Sequence, residues 1–314
     1  MPRAGLAAVI AVAGLAAGCR TLPWPADVPA RIELAATPFH PQDAYQCGPA
    51  ALATVLGASG VEVLPTDLVD EVYIPARKGS LQAEMLASAR RRHRIPYLVE
   101  PRFDALLAQL ADGHPVLVLL NLGVRSWPIW HYAVVIGYER DADRVLLRSG
   151  TTARTRLSMR RFRGAWALAG HWGFVALSPG DVPPSASASR YASAVADYER
   201  IDSREALHAY EAGLVRWPDD PLLRLGAANM RLALGDHAGA EQALQDLLRR
   251  APAEVAARNN LAELLSQRGC RDAALAQIAI AQGHARDTPL AAAVAATAAE
   301  IAAHAGDPAA RCPH

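Results

Sequence analysis

A stretch of structure-breaking residues divides the chain into two parts of different character. From Ser178 to Ser189 the sequence reads Ser-Pro-Gly-Asp-Val-Pro-Pro-Ser-Ala-Ser-Ala-Ser, which has no apolar period. Before this stretch, helical and strand-like patterns are mixed, and after it an Ala- and Leu-rich helical pattern continues almost without interruption. The sequence therefore predicts two domains of different architecture. We place the boundaries as follows: first domain 36–178, linker 179–190, second domain 191–306 and tail 307–314.

The N-terminus has the layout of an export signal, with a basic start and a short apolar run that ends in small residues. The run closes with Leu15-Ala-Ala-Gly-Cys19, which resembles the lipobox of bacterial lipoproteins. The resemblance implies a signal peptide at 1–18, a lipid on Cys19 and a tether at 19–35. Arg20, in place of an aspartate, favours the outer membrane, with the protein facing the periplasm. A soluble periplasmic protein is the alternative.

Export to an oxidising compartment constrains the remaining cysteines, of which there are three. An odd number leaves one thiol without an intrachain partner. Cys270 and Cys312 both lie in the helical second part, so a disulfide between them is the simplest pairing. Cys47 is then the free thiol.

The second part of the chain repeats itself. Pro218 and Pro252 are 34 residues apart, and Gly235 and Gly269 recur at the same interval. A period of this length, with a turn glycine and a terminal proline, resembles the tetratricopeptide repeat over residues 191–303. The resemblance implies an all-α solenoid whose groove docks a partner protein. A generic helical bundle is the alternative.

In the first domain, helical patterns precede strand-like ones. The helical patterns cover 48–56, 81–92 and 103–111. Short runs rich in Val, Ile and Leu follow at 115–120, 131–138, 144–147 and 172–177. This order predicts an α+β domain in which N-terminal helices pack against a predominantly antiparallel sheet.

Cys47 stands at the start of a predicted helix whose first turn carries Pro49. The first N–H groups of a helix are unpaired and lie at the positive end of its dipole, so we expect the pKa of this thiol to be lowered. The thiolate is the nucleophilic form of cysteine. The same amides can stabilise an oxyanion, and Gln42 is placed five residues upstream to add a side-chain N–H.

His131 is the candidate base for this thiol. It opens the buried strand His-Tyr-Ala-Val-Val-Ile-Gly-Tyr138, 84 residues after Cys47. A histidine at the first position of a strand is held by the sheet while its ring faces the rim. A cysteine at a helix start followed by a histidine at a strand start indicates a papain-like geometry.

These two segments, Gln-x4-Cys-Gly-Pro-Ala-Ala-Leu and His-Tyr-Ala-Val-Val-Ile-Gly, resemble the double-glycine peptidase family. That family has a papain-like domain that removes leader peptides from bacteriocin precursors, and the similarity covers residues 39–177. The resemblance implies that Cys47 is the nucleophile, that His131 is first the general base and then the acid, and that Gln42 completes the oxyanion hole.

The sequence departs from the family at the third catalytic position. The family orients its histidine with an aspartate at the end of the next strand, and Ser149 stands at that place here. A hydroxyl can orient an imidazole but cannot compensate the charge of an imidazolium. Asp141 and Asp143, in the preceding turn, are alternatives to Ser149.

The composition and the motifs also exclude several classes of protein. Hydrophobic residues make up 52% of the chain, which is typical of a globular protein. The formal net charge is +1, so the chain as a whole does not attract nucleic acid electrostatically. There is no phosphate loop, dinucleotide fingerprint or cluster with metal-ligand spacing, so we predict no cofactor and no metal. Trp127, Trp130 and Trp172 are candidates for the cleft wall, with core packing as the alternative.

The combined prediction is an envelope lipoprotein cysteine peptidase. It hydrolyses peptide bonds through a Cys-His mechanism, and its helical repeats recruit the substrate or a partner protein. One alternative is a peptide-binding adaptor with a degraded peptidase fold. Another is a hydrolase of peptidoglycan stem peptides.

Overall fold

The computed structural model describes Trp24 and residues 28–42, 46–307, 309–310 and 312. The predicted signal peptide and Cys19 lie outside the described residues. Within those residues, every helix is too short or too polar to cross a bilayer.

An antiparallel sheet forms the centre of the first domain. In chain order the strands are β1 (Arg31–Glu33), β2 (Tyr73–Ile74), β3 (Gly79–Ser80), β4 (Ile95–Leu98), β5 (Val116–Asn121), β6 (Trp130–Glu139), β7 (Arg144–Ser149), β8 (Thr152–Ser158) and β9 (Gly173–Leu177). Strands β2 and β3 pair with each other, and the others form a seven-stranded sheet of order β4-β9-β5-β6-β7-β8, with β1 added to β6. The sheet pairs are antiparallel, as predicted.

Helices cover both faces of this sheet. They are α1 (Cys47–Ala58), α2 (Val69–Val72), α3 (Gln82–Arg91), α4 (Phe103–Ala111) and α5 (Met159–Leu168). One core cluster joins α1 and α3 to the face of β6 that carries Tyr132 and Val134. A second cluster joins α4 and α5 to the opposite face, which carries Ala133 and Val135. Because successive strand residues point to opposite faces, β6 is buried on both sides.

A run of helices makes up the second part of the described chain, consistent with a helical solenoid. They are α6 (Ala188–Ala196), α7 (Ser203–Arg216), α8 (Pro221–Ala233), α9 (His237–Arg250), α10 (Val255–Gln267), α11 (Arg271–Ala285) and α12 (Ala291–Ala303). Gly235 and Gly269 occupy equivalent turns, with φ of 78° and 83°, a left-handed conformation that favours glycine. The predicted fold class, an α+β domain followed by an all-α part, is confirmed.

The segment between the two parts is packed against both of them. Ser185 Oγ accepts a hydrogen bond from Gln109 Nε2 at 2.6 Å, and the Ser187 N–H donates to Tyr97 Oη at 3.4 Å. Helix α6 begins inside the predicted linker, and Tyr191 belongs to the same core cluster as the sheet face that carries Ala133. The first helices of the second part therefore share a core with the first domain, and the stretch predicted as a linker at 179–190 is packed against it.

A disulfide closes the far end of the helical part. Cys270 and Cys312, the predicted pair, are bonded with a Cα–Cα distance of 5.4 Å and a sequence separation of 42 residues. Among the described residues Cys47 is the free cysteine.

We expect this disulfide to stabilise the helical part by up to about 4 kcal/mol, because a crosslink over a loop of this length restricts the unfolded chain. Urea unfolding followed by helical circular dichroism should shift to a lower midpoint on reduction. A Cys312→Ser variant should match the reduced protein and should not respond to reductant. Coincident midpoints of the oxidised and reduced protein would contradict this stabilisation.

Candidate active site

Cys47 is the first residue of helix α1 and follows the N-cap residue Gln46. Every residue from Gly48 to Leu56 is buried, so packing on the sheet fixes the position of this helix start. A Cβ at Gly48 would lie 2.1 Å from Ser80 Oγ, so glycine is the residue that lets β3 approach here. The thiol is held in place by two packed elements.

The environment of the thiol differs from the sequence expectation. Hydrogen bonds from the backbone N–H groups of Tyr132, Gly48 and Cys47 lower the pKa of the thiol, as a helix start should. Burial acts in the opposite direction and is the larger effect, so the pKa of Cys47 is raised overall. The expected low thiol pKa is therefore wrong for the resting protein. The sequence identified the helix start but could not reveal how deeply it is buried.

The raised pKa predicts slow alkylation of Cys47 near neutral pH. The reactive species is the thiolate, and its fraction at pH 7 falls as the pKa of the thiol rises. We expect iodoacetamide to modify Cys47 more slowly in the folded protein than in the urea-unfolded chain at pH 7. The folded-state rate should increase with pH through a midpoint above that of the unfolded chain. Equal midpoints, measured by mass spectrometry of the alkylated peptide, would contradict the burial effect.

His131 lies near the start of β6, one residue after Trp130, and its ring is tied to the neighbouring strand. Nε2 of His131 is 2.8 Å from Ser149 Oγ, at the end of β7. Burial lowers the pKa of His131, and none of the described carboxylates offsets this effect. The ring is therefore neutral at pH 7 and is held by a hydroxyl.

Cys47 and His131 lie at the same end of β6, on opposite faces of that strand. The backbone N–H of Tyr132, the residue after His131, is close enough to the Cys47 sulfur to lower the pKa of the thiol. Helix α1 packs on the face that carries Tyr132, so strand alternation places the His131 side chain toward the other face. Among the described residues there is no direct hydrogen bond between the thiol and the ring. The Tyr132 amide is the link between the two groups.

Asp141 and Asp143 are wrong as alternatives for the third position. They lie in the turn between β6 and β7, whereas His131 and Ser149 lie at the other end of this strand pair. At about 3.3 Å per residue, Asp141 is about 30 Å along the strand from His131. Ser149 is therefore the predicted candidate that contacts the ring.

Gln42 lies beside the end of β7. Its backbone N–H donates to the carbonyl of Gly150 at 3.3 Å, so the residue is adjacent to Ser149. This contact brings Gln42 to the same end of the sheet as His131. The segment that joins it to Gln46 lies outside the described residues.

Two residues that the sequence did not single out border the thiol. The Tyr132 hydroxyl donates to the Ser80 carbonyl at 3.2 Å, and the charge of a Cys47 thiolate contributes to a raised pKa of Tyr132, for which burial is the main cause. Trp172 packs edge-on against Tyr132, with ring centroids 5.9 Å apart. Trp172 therefore packs against the core cluster on the α1 side, which was the alternative predicted for it. The position of Tyr132 directly after His131 could have identified it as a residue of the site.

The other two tryptophans lie on the loop that precedes His131. Trp127 and Trp130 are 79% and 54% exposed, so they contribute to the surface and not to the core. The core alternative is therefore wrong for these two residues.

One group of potential metal ligands lies away from this site. Ligand atoms of His93, Asp202 and Glu205 lie within 4.8 Å of one another where α7 meets the first domain. Their atoms already have protein partners: His93 Nδ1 is 2.9 Å from Glu205 Oε2, and Asp202 Oδ1 accepts the N–H groups of Arg204 and Glu205. This group ties the two parts of the chain together through hydrogen bonds.

Most of the first domain is similar to a known family. Residues 27–173 match the family model described as the Peptidase_C39 like family. This region contains Cys47, His131 and Ser149, together with α1 and most of the antiparallel sheet. No curated protein matches the chain.

Solved structures show distant likenesses to this chain. A proposed C39-like peptidase from Bacillus anthracis has 16% identity and a TM-score of 0.40, over 47% of this chain and 98% of that one. The type III secretion translocator chaperone SycD of Yersinia enterocolitica has 21% identity and a TM-score of 0.34, over 36% of this chain and 82% of that one. SycD in complex with a peptide of the translocator YopD has the same identity and TM-score, over 36% and 91%.

Proposed function

We propose that the first domain is a cysteine peptidase with Cys47 as the nucleophile and His131 as the general base. The observation that carries the proposal is that Cys47 begins a buried helix beside Tyr132, the residue after His131, whose Nε2 lies 2.8 Å from Ser149 Oγ. A helix-start thiol and an imidazole at the same end of a strand can activate the sulfur for attack on a carbonyl once the ring moves to the thiol. The match of residues 27–173 to a peptidase family supports the same activity.

Before substrate binds, the Cys47 thiol and the His131 ring are both neutral, and this determines when the proton moves. The pKa of Cys47 is raised and that of His131 is lowered, so the thiol keeps its proton until a substrate binds. As the sulfur attacks the peptide carbonyl, the thiol proton passes to the ring nitrogen that does not face Ser149, and the carbonyl oxygen becomes an oxyanion. Catalytic contacts often tighten only when substrate binds, so the ring approaches the thiol in this step.

The second half of the reaction returns the enzyme to its starting state. The oxyanion is stabilised by the Cys47 N–H and the Gln42 side chain. When it collapses, the C–N bond breaks, the imidazolium gives its proton to the leaving amine, and an acyl-thioester remains on Cys47. A water molecule, deprotonated by His131, then attacks the thioester and releases the acid and the thiol.

The rest of the chain serves to locate the peptidase. We propose that Cys19 carries a lipid that anchors the protein in the outer membrane facing the periplasm. The helices α6 to α12 act as tetratricopeptide-like repeats that recruit the substrate or a partner protein. Incorporation of labelled palmitate into the wild-type chain and its loss in a Cys19→Ala variant tests the anchor.

The adaptor is the second candidate function, and one observation favours it. Ser149 faces the His131 ring where a carboxylate would stabilise an imidazolium, so the site lacks the charge that promotes an ion pair. An adaptor keeps the shape of the peptidase cleft and captures a polypeptide without cleaving it.

Proteolysis of an unfolded polypeptide separates these functions. Purified protein and its Cys47→Ala variant are incubated with carboxymethylated casein and, separately, with purified sacculi, and new termini are mapped by mass spectrometry. The peptidase predicts new casein termini with the wild type and none with Cys47→Ala. Casein binding by both proteins without cleavage supports the adaptor. Release of stem peptides from the sacculi supports the peptidoglycan hydrolase.

A further inference from the structure

The hairpin that joins β5 to β6 exposes five large apolar side chains to solvent. We call it the apolar hairpin. Its exposed side chains, from 46% to 79% accessible, are Leu122, Val124, Trp127, Ile129 and Trp130. Exposed large apolar residues occur singly on most soluble proteins, whereas a contiguous group of this kind marks an interaction surface.

The apolar hairpin is held in one conformation by its backbone. Leu122 N–H donates to the Ile129 carbonyl at 2.8 Å, and Val124 and Trp127 exchange hydrogen bonds of 3.2 and 3.1 Å. The buried side chain of Asn121 accepts the N–H groups of Gly123 and Ile129 at 2.9 and 3.0 Å. These bonds hold the exposed side chains in position before any partner binds, which lowers the entropy cost of binding.

This surface is continuous with the candidate active site. Trp130 directly precedes His131, and in the sheet register Trp130 lies opposite Asn121. A polypeptide bound where β6 begins therefore lies next to the hairpin. Tryptophan and arginine are the side chains that most often dominate binding energy at interfaces.

The charge of the apolar hairpin indicates which charge its partner carries. Arg125 is the charged residue between Asn121 and Trp130, it is exposed, and the segment from Asn121 to Tyr138 contains no acidic residue. An acidic side chain in the partner would be attracted to Arg125 and would meet no like charge on this segment.

We propose that the apolar hairpin is the substrate-binding surface of the peptidase and that it selects an apolar polypeptide segment that carries an acidic residue. The inference rests on the proposed function and names the substrate class of that site. Trp127 and Trp130 make the main apolar contacts with this segment, and Arg125 pairs with its acidic residue.

The position of the N-terminus favours a polypeptide over a lipid surface. Trp24 packs on Tyr138, with ring centroids 5.2 Å apart, at the end of β6 that is about 25 Å from Trp130. The predicted anchor at Cys19 is five residues from Trp24, a reach of at most about 18 Å. An anchored protein therefore holds the Tyr138 end at the membrane and the apolar hairpin away from it.

Binding to defined peptides tests this inference without any cleavage. The full chain with Cys47→Ala is titrated into a fluorescent peptide of leucine, valine and one glutamate, and into versions with lysine for glutamate or serine for the apolar residues. We expect the glutamate peptide to bind best and Trp127→Ala to weaken it at least about tenfold. Arg125→Glu should reverse the preference between the glutamate and lysine peptides.

Matched substitutions elsewhere serve as controls. Val215→Ala removes an 86% exposed apolar side chain from α7, and Arg144→Glu reverses an exposed charge at the start of β7, opposite Glu139; both should leave the Kd unchanged. An unchanged Kd in Trp127→Ala overturns the inference. So does Trp127-dependent binding confined to phosphatidylglycerol vesicles, or Trp127-dependent dimerisation in sedimentation.

The same variants distinguish failure of this inference from failure of the proposed function. If Trp127→Ala weakens peptide binding while the wild type cleaves nothing, the surface stands and the peptidase does not. If the wild type cleaves the glutamate peptide and Trp127→Ala cleaves it with the same kcat/KM, the peptidase stands and the surface assignment is overturned.

Discussion

Replacing His131 by alanine is expected to slow acylation of Cys47 by between about 10²-fold and 10⁴-fold, the usual contribution of a general base. Burial keeps the Cys47 thiol protonated near neutral pH, so removal of the base leaves the nucleophile in its unreactive form. The rate is read from p-nitrophenol release when the protein is mixed with a p-nitrophenyl ester of an N-acylated apolar peptide. Circular dichroism verifies that the variant is folded.

His114 provides a matched control for this substitution. It is also a histidine whose pKa burial lowers, but it lies beside Ala58 and Ser59, at the far end of α1 from Cys47. We expect His114→Ala to acylate at the wild-type rate. If His131→Ala acylates at the same rate as His114→Ala, the ring of His131 does not act on the thiol and the general-base role is wrong.

Replacing Ser149 by aspartate is expected to activate the thiol. A carboxylate placed 2.8 Å from the ring nitrogen would raise the pKa of His131, against the present lowering by burial. The imidazolium then stabilises a thiolate on Cys47, and each unit of pKa gained corresponds to about tenfold in the population of the ion pair. We expect iodoacetamide to modify Cys47 at pH 7 at least about tenfold faster than in the wild type.

A Ser149→Asn variant separates the effect of the carboxylate charge from the effect of a larger side chain. Ser149→Asn has nearly the shape of the aspartate variant and no charge, so its alkylation rate at pH 7 should stay within a few-fold of the wild-type rate. A large increase in both variants would indicate that steric disturbance, and not the carboxylate, exposes the thiol. An unchanged rate in Ser149→Asp would show that His131 and Cys47 are not coupled.

The central elements of the first domain were predictable because their patterns are strongly apolar. The runs at 131–138 and 144–147 correspond closely to β6 and β7, and the helix that starts at Cys47 corresponds to α1. The edge strands could not be predicted from sequence in the same way. β8 carries arginines and threonines with little apolar content, and β4 contains Pro96, which is acceptable only where a strand lacks a partner on one side.

The site was predictable in residue type but not in electrostatics. Sequence order identified Cys47, His131 and Ser149, and Ser149 does contact the ring of His131. The direction of the pKa shift of Cys47 depends on how much surrounding structure excludes water, and β3 and Tyr132 provide that structure from distant positions. The packing of the linker could not be predicted for the same reason. Gln109 and Tyr97, which bind it, are far from it in the sequence.

Intact-protein mass spectrometry of the acyl adduct tests the central claim most directly. The wild type, Cys47→Ala and His131→Ala are each mixed with the p-nitrophenyl peptide ester and quenched in acid within the first turnover. A thiol and an imidazole that act together predict one acyl group on Cys47 of the wild type, none in Cys47→Ala and a strongly delayed adduct in His131→Ala. Equal adduct levels in the wild type and His131→Ala, or an adduct that persists without Cys47, would contradict the account.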